Sequence, residues 1–201
     1  MKQLSTQVLY RGLCFMLVAL GTSGFLPTGK GISTNPNPSA KGTKQAKGGK
    51  DLTQGRIQTR TYFFKKAGKE MPYSLFVPSD YKKERKYPLM VALHGLYSNH
   101  AQIIRYPGLT SLAQQHGYIV VAPMGYNSRG WYGSQGQASA FSIPRNLGEL
   151  SEKDVMNVLE IIRREFNVDD DRIYLMGHSM GGGGTWHLGL LWLGHPNGAG
   201  V

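Results

Sequence analysis

Gly177-His178-Ser179-Met180-Gly181 puts a serine where its hydroxyl can act as a nucleophile. Arg172-Ile173-Tyr174-Leu175-Met176, just before it, is a short apolar run typical of a buried parallel strand, and Gly182 to Leu193, just after it, reads as a helix. In so tight a strand-to-helix turn the serine backbone is strained and its hydroxyl stands above the sheet. Bulky flanks would clash, which is why Gly177 and Gly181 suit their positions. The turn also aims the Met180 N–H at the place where an oxyanion would develop. The pentapeptide alone is a weak signal in a chain with 27 glycines, so the strand before it and the helix after it carry the inference.

A second stretch complements the first. Leu93-His94-Gly95-Leu96 follows the apolar run Tyr87-Pro88-Leu89-Met90-Val91-Ala92-Leu93, a strand buried on both faces. Catalytic groups gather at the C-terminal ends of such strands. The Leu96 N–H is the expected second oxyanion donor, and His94 is expected to hold the turn in shape rather than to move protons. Two such donors lower a tetrahedral intermediate by roughly 3–4 kcal/mol each.

The elements that position these turns are legible in outline. Thr61–Phe64 and Tyr73–Val77 read as two antiparallel strands joined at Ala67-Gly68-Lys69. Pro107–His116 reads as a helix stopped by Gly117, and Tyr118–Pro123 as another buried strand. A long Gly/Ser/aromatic loop runs from Met124 to about Gly148. A helix follows, with Ser151 as its cap, Asp154 completing a capping-box-like start, and an apolar face of Val155, Val158, Leu159, Ile162 and Phe166. Asn167-Val168-Asp169-Asp170-Asp171 reads as a solvated turn into the serine strand rather than a calcium loop. Strands alternating with helices imply an α/β fold with a mainly parallel sheet.

The chain of 201 residues is long enough for one sizeable core. Residues 1–24, with Lys2, Arg11 and the apolar run Gly12–Leu20, read as a signal peptide cut between Gly21 and Gly24; the run is short for an uncleaved anchor. The one cysteine, Cys14, falls in this segment, so no disulfide or thiol chemistry is expected after it leaves. Residues 25–59 read as a disordered Lys/Gly/Pro-rich linker, and residues 60–201 as the folded part. The net charge of +11 does not signal nucleic-acid binding. Residues 1–60 carry nine Lys/Arg against one acid, whereas residues 61–201 carry fourteen against eleven. No nucleic-acid partner and no stable membrane insertion after signal removal are expected, and the destination is secreted or periplasmic. The four glycines 181–184 are not followed by the Lys-Ser/Thr of a phosphate-binding loop, and no motif for a metal or another cofactor is present.

Three stretches carry a resemblance: Leu93-His94-Gly95; Gly125-Tyr126-Asn127-Ser128-Arg129-Gly130-Trp131-Tyr132-Gly133; and Asp171 to Gly182 around the serine. Together they resemble the secreted α/β-hydrolase esterases of the polyhydroxybutyrate-depolymerase and feruloyl-esterase-like group, which also resembles prolyl-oligopeptidase-type catalytic domains. The likeness spans roughly residues 60–190. It implies a serine hydrolase forming an acyl-serine on Ser179, with His178 within the elbow, acting on small-molecule or polymeric carboxylic esters. Tyr126, Trp131, Tyr132 and Phe141 either line an acyl or aromatic pocket or pack within their loop.

The family order continues after the serine with an acid and then a histidine. Only 22 residues follow Ser179 here; they contain no acid, and their histidines are His187 and His195. His187 falls about two turns down the helix, roughly 12 Å along its axis at about 1.5 Å per residue. His100 could approach the site only through loop placement. The expectation is therefore a partial α/β-hydrolase fold that lacks the last strands and two members of its triad, leaving Ser179 a weak nucleophile. The rival readings are a serine peptidase of the prolyl-oligopeptidase type and a non-catalytic hydrolase-like surface protein.

Overall fold

The computed structural model describes residues 53–193, so the signal and most of the linker, together with His195, lie outside the described residues. Five strands form one sheet: β1 (Ile57–Phe64), β2 (Lys69–Phe76), β3 (Tyr87–Leu93), β4 (Ile119–Pro123) and β5 (Val168–Gly177). Four helices accompany it: the single turn α1 (His100–Ile103), α2 (Leu109–His116), α3 (Leu147–Glu165) and α4 (Met180–Leu193). The strand order is β1-β2-β4-β3-β5. β1 and β2 pair antiparallel, β2 runs antiparallel to β4, and β3 is parallel to both β4 and β5. The fold is thus α/β, with the parallel strands at the serine and the antiparallel hairpin at the far edge.

The central parallel strands β3 and β4 are buried because elements cover both faces, and their sequences are accordingly near-continuous apolar runs, whereas β5 at the edge is only partly buried. Leu89, Leu93, Ile119, Val120 and Val121 are completely buried. On one face Ile103, Ile104 and Ala113 pack over Phe76, Ala92, Val120 and Ala122.

Several boundaries differ from the sequence reading: β2 starts at Lys69 rather than Tyr73 and α4 at Met180 rather than Gly182, and three further differences have a physical reason. β1 begins at Ile57, inside the stretch read as linker, and Gly55 N–H already donates to Val77 O at 2.7 Å. Gln58 and Thr59 are polar because β1 is an edge strand that is only partly covered, and their polarity reads as linker. β5 begins at Val168, within the stretch read as a turn. Here Tyr87 pairs with Val168 and Leu89 already with Ile173, so β5 bulges out its acids against Pro88 of β3. Asp169 and Asp170 pair with Arg172 and Arg163 at this bulge. α3 begins at Leu147, four residues earlier than Ser151, so Ser151 and Asp154 lie within the helix and do not cap it. Both are completely buried, and their partners are in the long loop and, for Asp154, also at Tyr62 of β1.

Candidate active site

The serine turn and the His-Gly turn leave the sheet at the same end, because Leu93 of β3 pairs with Gly177 of β5. His178 N–H donates to Leu93 O at 3.1 Å, stitching the two strand ends together. Ser179 follows with φ of 53°, in the left-handed region that a side chain resists. It is exposed, and it starts the α4 end of the turn. The flanking glycines are required by space. A Cβ on Gly177 would fall 2.1 Å from the carbonyl of Gly181, and one on Gly181 would fall 2.1 Å from Leu93 O.

Gly95 closes against this turn. A Cβ there would sit 3.6 Å from Ser179 Cβ and 3.0 Å from His178 Nδ1. Leu96 follows at the surface, and Met180 is buried at the first position of α4. Among the described residues, neither Leu96 N–H nor Met180 N–H forms a hydrogen bond, whereas the next three amides of α4 turn back to His178 O and Ser179 O. The uncommitted Met180 N–H thus directly follows the serine at the positive end of a 14-residue helix dipole, and the uncommitted Leu96 N–H directly follows Gly95. Tyr97, next to Leu96, is 73% exposed with φ of 61° and is pinned through its N–H to Ser128 O. Sequence reading passed over it, since nothing in its type marks a positive φ.

The histidines are committed elsewhere. His94 is completely buried, with Nε2 2.8 Å from Met124 O and Nδ1 2.8 Å from Gly95 O. His100 is buried with Nδ1 2.8 Å from Ser74 Oγ, and burial above all, then His94 and Arg105, lowers its pKa. His178 Nδ1 lies 2.9 Å from Tyr106 Oη. His187 Nε2 lies 2.8 Å from Glu152 Oε2, which also accepts from Gln137 Nε2 at 2.6 Å. His116 ends α2 just before β4, and so sits at the opposite end of the parallel strands.

The aromatic loop divides between the two sequence readings. Tyr132 is completely buried and cannot line a pocket with its own surface. Its ring fills the space that side chains on Gly125 and Gly184 would need, each Cβ position lying 2.5 Å from a ring carbon. Tyr126 turns toward the β1–β2 hairpin, edge-on to Phe64 at 6.5 Å and with Lys69 Nζ 3.8 Å above its ring. Phe141 is 97% exposed and packs on nothing. Trp131 also lies against the serine helix, 3.9 Å from the Cβ position of Gly183, but with part of its surface open.

α3 supplies the anchors. The Asp154 carboxylate accepts from Tyr62 Oη at 2.6 Å, Gly125 N–H at 2.7 Å and Tyr126 N–H at 3.1 Å. Burial raises its pKa, and these three donors pull it back toward the charged form. Ser151 Oγ accepts from Tyr132 N–H at 3.0 Å. Among the described residues no cluster of His, Cys, Asp and Glu could hold a metal ion, and no helix is long and apolar enough to cross a membrane.

Comparison with known proteins adds to this geometry. The model of the Esterase family matches residues 65–193. The bifunctional acetylxylan esterase/xylanase XynS20E of Neocallimastix patriciarum is 28% identical over 100 residues, which is 50% of this chain and 13% of that protein. Dipeptidyl-peptidase 5 of Porphyromonas gingivalis is 29% identical over 113 residues, or 56% of this chain and 16% of that protein. An S-formylglutathione hydrolase structure from Agrobacterium tumefaciens shares the fold, with a TM-score of 0.57 at 20% identity over 73% of this chain and 57% of that one. The chain thus spans well under two thirds of the length of each of these proteins.

Proposed function

Because the chain belongs to the Esterase family, we propose that it is a carboxylic ester hydrolase that works through an acyl-serine on Ser179. Ser179 Oγ attacks the ester carbonyl, its proton passes to a base, and the carbonyl oxygen becomes an oxyanion between Leu96 N–H and Met180 N–H. Collapse expels the alcohol, and water then hydrolyses the acyl-serine. The observation that carries this reading is the strained, exposed Ser179 at the β5–α4 junction, with Gly95 closed against it. Trp131 is the proposed wall for the acyl or aromatic part of a small-molecule or polymeric ester.

The proposal has two parts that concern rate and address. Of the described imidazoles, those of His94, His100, His178 and His187 are engaged with Met124, Gly95, Ser74, Tyr106 and Glu152, and His116 sits at the opposite end of the parallel strands. Among the described residues Ser179 therefore has no positioned histidine base, and acylation without one is slow. Residues 1–24 direct export, and residues 25 to about 55 tether the folded part.

Fluorophosphonate labelling followed by peptide mapping tests the nucleophile. Labelling confined to Ser179 and lost in Ser179→Ala supports it; a folded chain that takes no label sinks it and favours a non-catalytic surface protein. A peptidase is the second reading, favoured by the similarity to dipeptidyl-peptidase 5. Turnover of a peptide anilide above that of p-nitrophenyl acetate would select it, since only the amide depends strongly on protonation of its leaving nitrogen.

A further inference from the structure

We propose that Tyr132 is a positioning residue for the oxyanion turn, acting through its hydroxyl on the His94 main chain; the inference rests on the reading of Ser179 as the nucleophile. Tyr132 Oη–H donates to His94 O at 3.1 Å. That carbonyl belongs to the peptide between His94 and Gly95, so fixing its direction fixes the Gly95 amide plane from which Leu96 departs. Burial holds the Tyr132 hydroxyl well above the usual phenol range, so it stays protonated and remains a donor.

The ring is immobilised on every side. It lies edge-on to the His94 imidazole at 5.7 Å. It is wedged between Gly125 of the loop and Gly184 of the serine helix. Its own N–H is tied to the completely buried Ser151 of α3. Its φ of 53° would relax if these ties were loosened. One residue, through its N–H, ring and hydroxyl, thus spans α3, the loop, the serine helix and the His-Gly turn, and a small change in its hydroxyl reaches Leu96 N–H without touching substrate. A misplaced oxyanion donor slows chemistry while leaving ground-state binding nearly unchanged.

Tyr132→Phe keeps the ring and removes only the donor. The test compares labelling of Ser179 by a fluorophosphonate in the full chain with and without this substitution, separating the limiting rate from the half-saturating concentration. The limiting rate should fall about tenfold, the scale of one lost hydrogen bond, with half-saturation and melting temperature nearly unchanged. Amide exchange should quicken at Tyr97 and Ser98, whose N–H groups donate to Ser128 O and Gly95 O, and stay unchanged in α4. A wild-type labelling rate, or unaltered exchange in that turn, overturns the proposal. Should Tyr132→Phe fail to fold, Ser151→Ala loosens the same ring from its other end. A slowing of roughly threefold is then expected, and a wild-type rate again overturns the proposal. If Ser179→Ala is labelled as fast as wild type, the nucleophile reading has failed instead. Exchange in the turn, which needs no reaction, still decides whether Tyr132 holds it.

Discussion

Two strained segments meet at one end of this sheet, and they are held by opposite means. At Ser179 the left-handed backbone is enforced by vacancy: Gly177, Gly181 and Gly95 let backbone approach where no side chain fits. At Tyr126, Trp131 and Tyr132 the same backbone region is occupied by bulky residues, and there it is enforced by hydrogen bonds from a helix, through Asp154 and Ser151. Each such residue costs on the order of 1–3 kcal/mol. Neither segment persists without its own restraint, and the two restraints fail in different ways.

The largest expected effect is at the vacancy. Gly181→Ala drives a methyl into the Leu93 carbonyl, which is backbone and cannot rotate away. The variant should lose on the order of 4 kcal/mol and show little soluble, cooperatively melting protein. Tolerance of alanine there would mean that the turn is looser than its glycines imply. Next comes the hydrogen-bonded restraint: Asp154→Ala takes the acceptor from the half-buried Tyr62 hydroxyl, from the buried Gly125 amide and from the partly buried Tyr126 amide. A loss of about 3–5 kcal/mol in urea unfolding is expected, with residues 124–133 becoming protease-sensitive before the sheet does. A smaller effect of opposite sign sharpens the contrast. Ser179→Gly should raise stability by about 1 kcal/mol, since glycine accepts a φ of 53° without penalty, while abolishing labelling. Calorimetry showing destabilisation would argue that the serine backbone is not strained.

The last prediction concerns pH. His100 is held below its ordinary 6.5, chiefly by burial. The unfolded chain binds the proton more tightly than the folded one. The His100 contribution is therefore fully present above 6.5 and is lost as pH falls from there toward the folded value. The urea midpoint should drop between about pH 7.5 and about pH 5.5, and His100→Gln should flatten that slope. An unchanged slope would assign the loss to other groups.

The same contrast explains what could be read from the sequence. Vacancy leaves a compositional trace: the glycine spacing around Ser179 and the apolar runs of β3 and β5 locate the serine turn and its sheet. The hydrogen-bonded restraint leaves almost none. Ser151 and Asp154 have the types and spacing of a helix cap, and only the earlier apolar pair Leu147 and Leu150, both buried on α3, reveals that the helix has already begun. Nothing in Tyr126 or Tyr132 announces a positive φ, and their aromatic character suggests a ligand wall where the structure uses them as packing. The three aspartates of β5 hide its first residues because such residues are poor strand formers. Their exposure at a bulge is what lets them remain.

The Leu93–Gly177 pairing also bears on how this chain can vary. It works as a ruler: one residue inserted into or deleted from either strand beyond the bulge would slide the two ends apart by about 3.3 Å and reverse which face each side chain meets. The span from Ser139 to Phe141, exposed and hydrogen-bonded within its own loop, carries no such measurement. Length changes should therefore accumulate there, reshaping what surrounds the serine while its distance from the facing amide stays the same.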